Sequence, residues 1–222
     1  MKQGENLDLA SRMYYYCGMA AHQHVAYNDS IPGEKLLHAN ELIAMGDYPA
    51  AWQYLEQLVA DDPTDVRALT ALGVAFTEGG EHRKAVRALE WAISLDHENS
   101  EALEALGCAL FRLQEYATAK SRLEEARSLD ADNGSILRNL GVVTDRLGDF
   151  KEGSRLIEKA CELNAEDYQA IYALASIRLR QGEIETAMGL LQRIVNADIA
   201  APIELRELAG DHIRNLKRYL KR

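Results

Sequence analysis

The side chains best suited to chemistry are six histidines, three cysteines and a recurring set of arginines. His22 and His24 stand two residues apart, so a helix would send them to different faces, a poor metal geometry. Cys17, Cys108 and Cys161 are odd in number, widely spaced and free of any C-x-x-C pattern, so they read as reduced thiols. The chain has no G-x-S-x-G, no P-loop, no G-x-G-x-x-G and no H-E-x-x-H, and we expect no enzyme activity, cofactor or metal site. What remains is the chemistry of binding. Arg112, Arg146 and Arg180 recur at an interval of 34 residues, and a guanidinium offers a planar fork of donors to a carboxylate. Such a ladder either recognises a partner or is solvated and paired within the protein, the latter being the weightier reading.

The elements that position these residues follow the same interval. Leu72-Gly73, Leu106-Gly107 and Leu140-Gly141 recur in step, continued by Leu174-Ala175. Ala51, Ala85, Ala119, Gly153 and Ala187 form a second series, and Leu55, Leu89, Leu123, Ile157 and Leu191 a third. Five units tile residues 32–65, 66–99, 100–133, 134–167 and 168–201 without an insertion. Within a unit, Leu69, Leu72, Gly73 and Phe76 occupy one helical face, and Ala85, Leu89 and Ala92 repeat the pattern on a second helix. The small residues let the two backbones approach closely. Gly46, Gly80, Gly148 and Gly182 mark the turn between helices in four units, and Gly153 in place of Ala should cost about 1 kcal/mol of helix propensity.

This pattern resembles the tetratricopeptide repeat (TPR) family. The resemblance covers residues 32–201 and implies an all-α, right-handed solenoid of helix pairs, with a concave surface that takes protein or peptide partners. It departs from the family at Leu69, Leu103, Leu137 and Ile171, where a tryptophan is usual, and at His38 and Arg178, which replace bulky core residues. At the level of architecture the chain also resembles the self-assembling five-repeat scaffold of bacterial magnetosomes and, with more repeats than usual, the secretion-system chaperones. A regulatory subunit of an enzyme is a further alternative.

Register assigns the concave surface to the first helix of each unit. Phe111, Arg112, Arg138, Val142, Arg146, Tyr172, Leu179 and Arg180 are the expected partner-binding residues, in a lining that also counts Thr70, Thr77 and Asp145. Apolar patches beside arginines suit a peptide with apolar anchors and some acidic character. Only Asn40, Arg138 and Asn139 fall where relatives clamp chaperone tails, so that ligand is disfavoured. Trp91 stands at a position held by Gln57, Glu125, Lys159 and Arg193 in other units, and is expected to face outward as a convex contact unless another segment covers it.

The flanks are read as caps. Residues 1–31 should supply a capping helix over 6–27, with Tyr14, Tyr15 and Tyr16 as candidate oligomerisation residues. Residues 202–222 should form a basic capping helix. Its Arg214, Lys217, Arg218, Lys221 and Arg222 could touch a membrane peripherally, although a positive last turn also complements the helix dipole. The net charge of −10 argues against a general nucleic-acid binder. The uncharged stretch from Met13 to Asn28 is too polar to span a membrane, and without a signal-peptide pattern the expected location is cytoplasmic.

Overall fold

The computed structural model describes residues 32–197 and 200–220. The regular elements among them are eleven α-helices: α1 (Pro32–Ala44), α2 (Tyr48–Asp61), α3 (Val66–Glu78), α4 (His82–Leu95), α5 (Ser100–Arg112), α6 (Tyr116–Leu129), α7 (Gly134–Arg146), α8 (Phe150–Leu163), α9 (Tyr168–Arg180), α10 (Ile184–Val195) and α11 (Ile203–Tyr219). They form tandem antiparallel pairs followed by a single last helix, in two compact units. One holds α1–α6, and the other, from Asp132 onward, holds α7–α11.

The 34-residue pattern forms pairs because glycine stands where the backbones meet. A Cβ on Gly107 would lie 2.5 Å from Leu123 Cγ, and one on Gly141 would lie 2.6 Å from Ile157 Cγ1. Such approaches are far inside van der Waals contact, so the second-helix leucine or isoleucine fills the space that a side chain would need. Ala85, Ala119 and Ala187 are fully buried and serve the reciprocal face. The fourth pair is tighter still. Gly153 stands where the other units carry alanine, and a Cβ there would lie 2.8 Å from the Gly141 carbonyl oxygen and 2.9 Å from Asp145 Cβ. The expectation that Gly153 merely forfeits propensity is therefore corrected: this glycine makes room for a buried carboxylate.

The turn within each pair needs one residue in the left-handed region. Gly46, Gly80, Gly148 and Gly182 take φ values between 80° and 94°, and Gln114 takes 64° in the unit that lacks the glycine. The turns between pairs are set by side chains. Asp65, Asn99, Asn133 and Asp167 accept hydrogen bonds from the first free N–H groups of α3, α5, α7 and α9, satisfying donors that a helix start otherwise leaves orphaned.

Each unit has its own apolar core. In the first, Leu69, Ala92 and Ala102 join successive pairs, with Val59, Val66 and Ile93 packed around them. In the second, α11 takes the register of a sixth first helix. Its Leu205, Ala209 and Ile213 close over Ile171, Tyr172, Ala175, Leu191 and Ile194. No helix among the described residues is long and apolar enough to cross a membrane.

Candidate functional site

The first helices of the pairs are buried on nearly all sides, and what they leave accessible is a narrow stripe. On α3 the stripe is Arg67, Ala71, Val74 and Glu78, with Val66 half-buried at its start. On α5 it is Glu101, Glu104, Cys108, Phe111 and Arg112. In the second unit it is Arg138, Asn139, Val142 and Arg146 on α7, then Gln169, Ser176, Leu179 and Arg180 on α9. The centre of the stripe is small or apolar in each case: Val74, Cys108, Val142 and Ser176 are all half-buried.

Several residues expected to line this surface are inside instead. Thr70 and Thr77 are buried, because each hydroxyl donates to a carbonyl one turn back in its own helix, Val66 O and Gly73 O, both at 2.8 Å. Tyr172 is also corrected. It is 2 % exposed, covered by α11, with its hydroxyl 3.3 Å from His212 Nε2 and the two rings 5.6 Å apart. Burial pushes the Tyr172 phenol well above its ordinary range and holds His212 below the usual histidine value, so both are neutral near pH 7. This tyrosine anchors the terminal helix and offers no open contact.

The arginines are mostly committed to protein partners. Arg138 pairs with Asp167 at 2.5 Å, both side chains largely hidden, and so ties the stripe of α7 to the N-cap of α9. Arg180 donates from Nη2 to both oxygens of Asp145 at 2.6 Å and lies 5.8 Å above the Phe150 ring. In the first unit, burial and the nearby Arg112 charge together hold His82 below the ordinary histidine value. Arg112 and Arg146 are engaged as well. Arg178, at a core position, pairs with Glu158 and lies 3.6 Å from Glu183. The ladder read from the sequence is thus largely internal wiring.

The apolar members stand apart from this wiring. Phe111 packs on Tyr116 with ring centroids 5.3 Å apart and stays half-buried, and so do Val142 and Leu179. Trp91 on α4 is 42 % exposed, with its backbone carbonyl accepting from Ser94 Oγ at 2.7 Å. Its outward placement agrees with its register. Tyr14, Tyr15 and Tyr16 lie outside the described residues, as do Lys221 and Arg222.

Sequence reasoning missed a polar cluster in the fourth pair. Asp145 is 4 % exposed and Thr144 fully buried, and the Thr144 hydroxyl has no partner among the described residues. The signal was present as two coincident departures. Thr144-Asp145 stands where other units have Phe76-Thr77, Leu110-Phe111 and Arg178-Leu179, and Gly153 stands where they have alanine. Phe150, at the start of α8, is 55 % exposed, and Leu147 in the preceding turn is 46 % exposed. Neither was singled out from sequence. No group of His, Cys, Asp and Glu side chains among the described residues is arranged to hold a metal ion.

Comparison with solved structures bears on the fold. A thermophilic TPR protein from Thermus thermophilus, TTC0263, superposes with a TM-score of 0.75 at 19% identity, over 82% of this chain and 98% of its own. MamA 41-end from Desulfovibrio magneticus RS-1 gives 0.59 at 20% identity, over 76% and 94%. YrrB, described as a TPR protein with an unusual peptide-binding site, gives 0.53 at 17%, over 83% and 94%. No curated protein matches the chain. The tetratricopeptide repeat model matches residues 36–92, 78–119, 104–152 and 144–202. With well over half its length matched, the chain belongs to the tetratricopeptide repeat family, whose fold is typically a non-enzymatic protein-interaction scaffold.

Proposed function

We propose that this protein is a non-catalytic adaptor that binds peptide segments or partner subunits along the accessible stripe of its first helices and so helps assemble a multiprotein complex. The observation that carries this reading is the stripe itself. Helices buried on every other side keep Val142 and Leu179 half-open, at positions where the repeat could have closed over them. Burial of such apolar surface supplies about 25 cal/mol per Å², and rigid helices present it without ordering cost on the protein's side. The stripe carries both signs of charge, with Glu101 and Glu104 on α5 and arginines on α7 and α9, which favours specificity over tight general binding.

Trp91 defines a second face, because an exposed tryptophan is a frequent interface hot spot. The two faces separate in one experiment. Affinity capture from a native lysate, quantified by mass spectrometry, compares wild type with Val142→Glu/Leu179→Glu and with Trp91→Ala. Loss of the captured proteins in the stripe variant alone supports the reading. Loss in Trp91→Ala alone overturns it in favour of the outer face.

A further inference from the structure

The fourth and fifth pairs hold one guanidinium in a way that leaves half of it available. Arg180 uses Nη2 for both Asp145 oxygens, and its plane is steadied over Phe150. Its Nε and Nη1 have no hydrogen-bond partner among the described residues, and 47 % of the side chain is exposed. A guanidinium carries five N–H donors and can serve carboxylates along two edges. Asp145 is buried, so it fixes the inner edge and leaves the outer edge toward solvent. The third pair shows what this arrangement replaces: Phe111 at the register of Asp145 covers the Tyr116 ring, whereas in the fourth pair the equivalent ring of Phe150 stays 55 % exposed, with Leu147 three residues before it also open.

We propose that Arg180, Phe150 and Leu147 form a docking subsite for an acidic–apolar peptide segment: a carboxylate side chain on the outer edge of Arg180, next to a large apolar side chain on Phe150 and Leu147. The charge complementarity is local. Asp145 balances the Arg180 charge in the resting protein, so the subsite selects by donor geometry, with a modest dependence on salt. Arg180 is held in place before the ligand arrives, so little side-chain entropy is lost on binding. This inference rests on the interaction reading above and specifies one part of that surface.

The test uses the full chain and three labelled pools of 12-residue peptides, read by fluorescence polarisation. The pools are identical except at one position, which precedes a Phe or Leu and is Asp or Glu, Asn or Gln, or Lys. Wild type should bind the acidic pool at least tenfold more tightly than the amide pool. Arg180→Gln should abolish that preference, and Phe150→Ala should weaken acidic-pool binding about fivefold. Phe150 is an exposed ring, so its variant keeps the proposal testable if Arg180→Gln, which strands a buried carboxylate, fails to fold by circular dichroism. Equal binding of acidic and amide pools overturns the subsite while leaving the broader reading standing, and so does a Phe150→Ala variant that binds like wild type. Absence of binding by every pool up to millimolar concentration also overturns it, and the broader reading is then decided separately by the capture experiment.

Discussion

Gly153→Ala sets two physical effects against each other, and the structure decides between them. Helix propensity alone favours the alanine by about 1 kcal/mol in a helix interior. The new Cβ would stand 2.8 Å from the Gly141 carbonyl oxygen, 2.9 Å from Asp145 Cβ and 3.0 Å from the Asp145 amide nitrogen. Two of these neighbours are backbone atoms and the third is fixed by the Arg180 pair, so α7 and α8 must move apart. Overpacking of this kind costs about 1–3 kcal/mol, which meets or exceeds the propensity gain, and separation also loosens the Asp145–Arg180 contact. We expect a net destabilisation of about 1 kcal/mol, a fall of roughly 2–4 °C in Tm for a chain of this size. Gly189 in α10 is the matched control, since a Cβ there meets nothing within 4 Å. Gly189→Ala should stabilise by about 0.5–1 kcal/mol. Thermal and urea unfolding followed by circular dichroism give the sign, and native-state hydrogen exchange places the change, because repeat arrays need not unfold in one step. A Gly153→Ala variant more stable than wild type would refute the idea that this glycine is there for space.

Four further outcomes follow from the same contacts. Gln114→Gly should raise stability by up to about 1 kcal/mol in urea unfolding, because the left-handed conformation at φ 64° costs a side chain about 1–2 kcal/mol against a smaller entropic cost for glycine. Asp167→Ala should cost about 3 kcal/mol against about 1 for Asn99→Ala, since Asp167 both caps α9 and neutralises the largely hidden Arg138, whereas Asn99 caps α5; equal losses would assign the Arg138 pair no weight. His212 holds a proton less tightly in the folded chain than in the unfolded one, so unfolding takes up a proton. Stability is full above the ordinary histidine range and falls as the pH drops below it. Hydrogen exchange should show α11 loosening between pH 7 and 5, a dependence that His212→Gln removes. Finally, burial chiefly pushes the Cys161 thiol up to about 11, so its alkylation by iodoacetamide at pH 8, followed by mass spectrometry, should be slower than a free thiol's by on the order of a hundredfold.

The helix pairs were legible in the sequence because their determinants are local and repeated. Gly73, Gly107 and Gly141 recur with Leu89, Leu123 and Ile157 at a fixed step, so each contact is written three times. The turn at Gln114 was legible only by analogy, since the flanking pair imposes a conformation that glutamine does not favour. The candidate surface was legible in its register and not in its burial. Val142, Leu179 and Phe111 are where the register puts them. Tyr172 shares that register and is nonetheless closed off, because α11 lies outside the tiled units and its packing on α9 is written nowhere in them. Asp145 shows the same limit: its burial depends on Gly153 and Arg180, neither adjacent in sequence, and becomes visible only when two departures from the repeat are considered together.

Whether partners engage the stripe is decided most directly by a photo-reactive residue placed at Ser176, in the open stripe of α9, and at Arg193, on the exposed side of α10, in separate full-length proteins. After irradiation in the native lysate, cross-linked partners are identified by mass spectrometry. We predict partner adducts at Ser176 and few or none at Arg193. Adducts concentrated at Arg193, with none at Ser176, would contradict a partner-binding stripe.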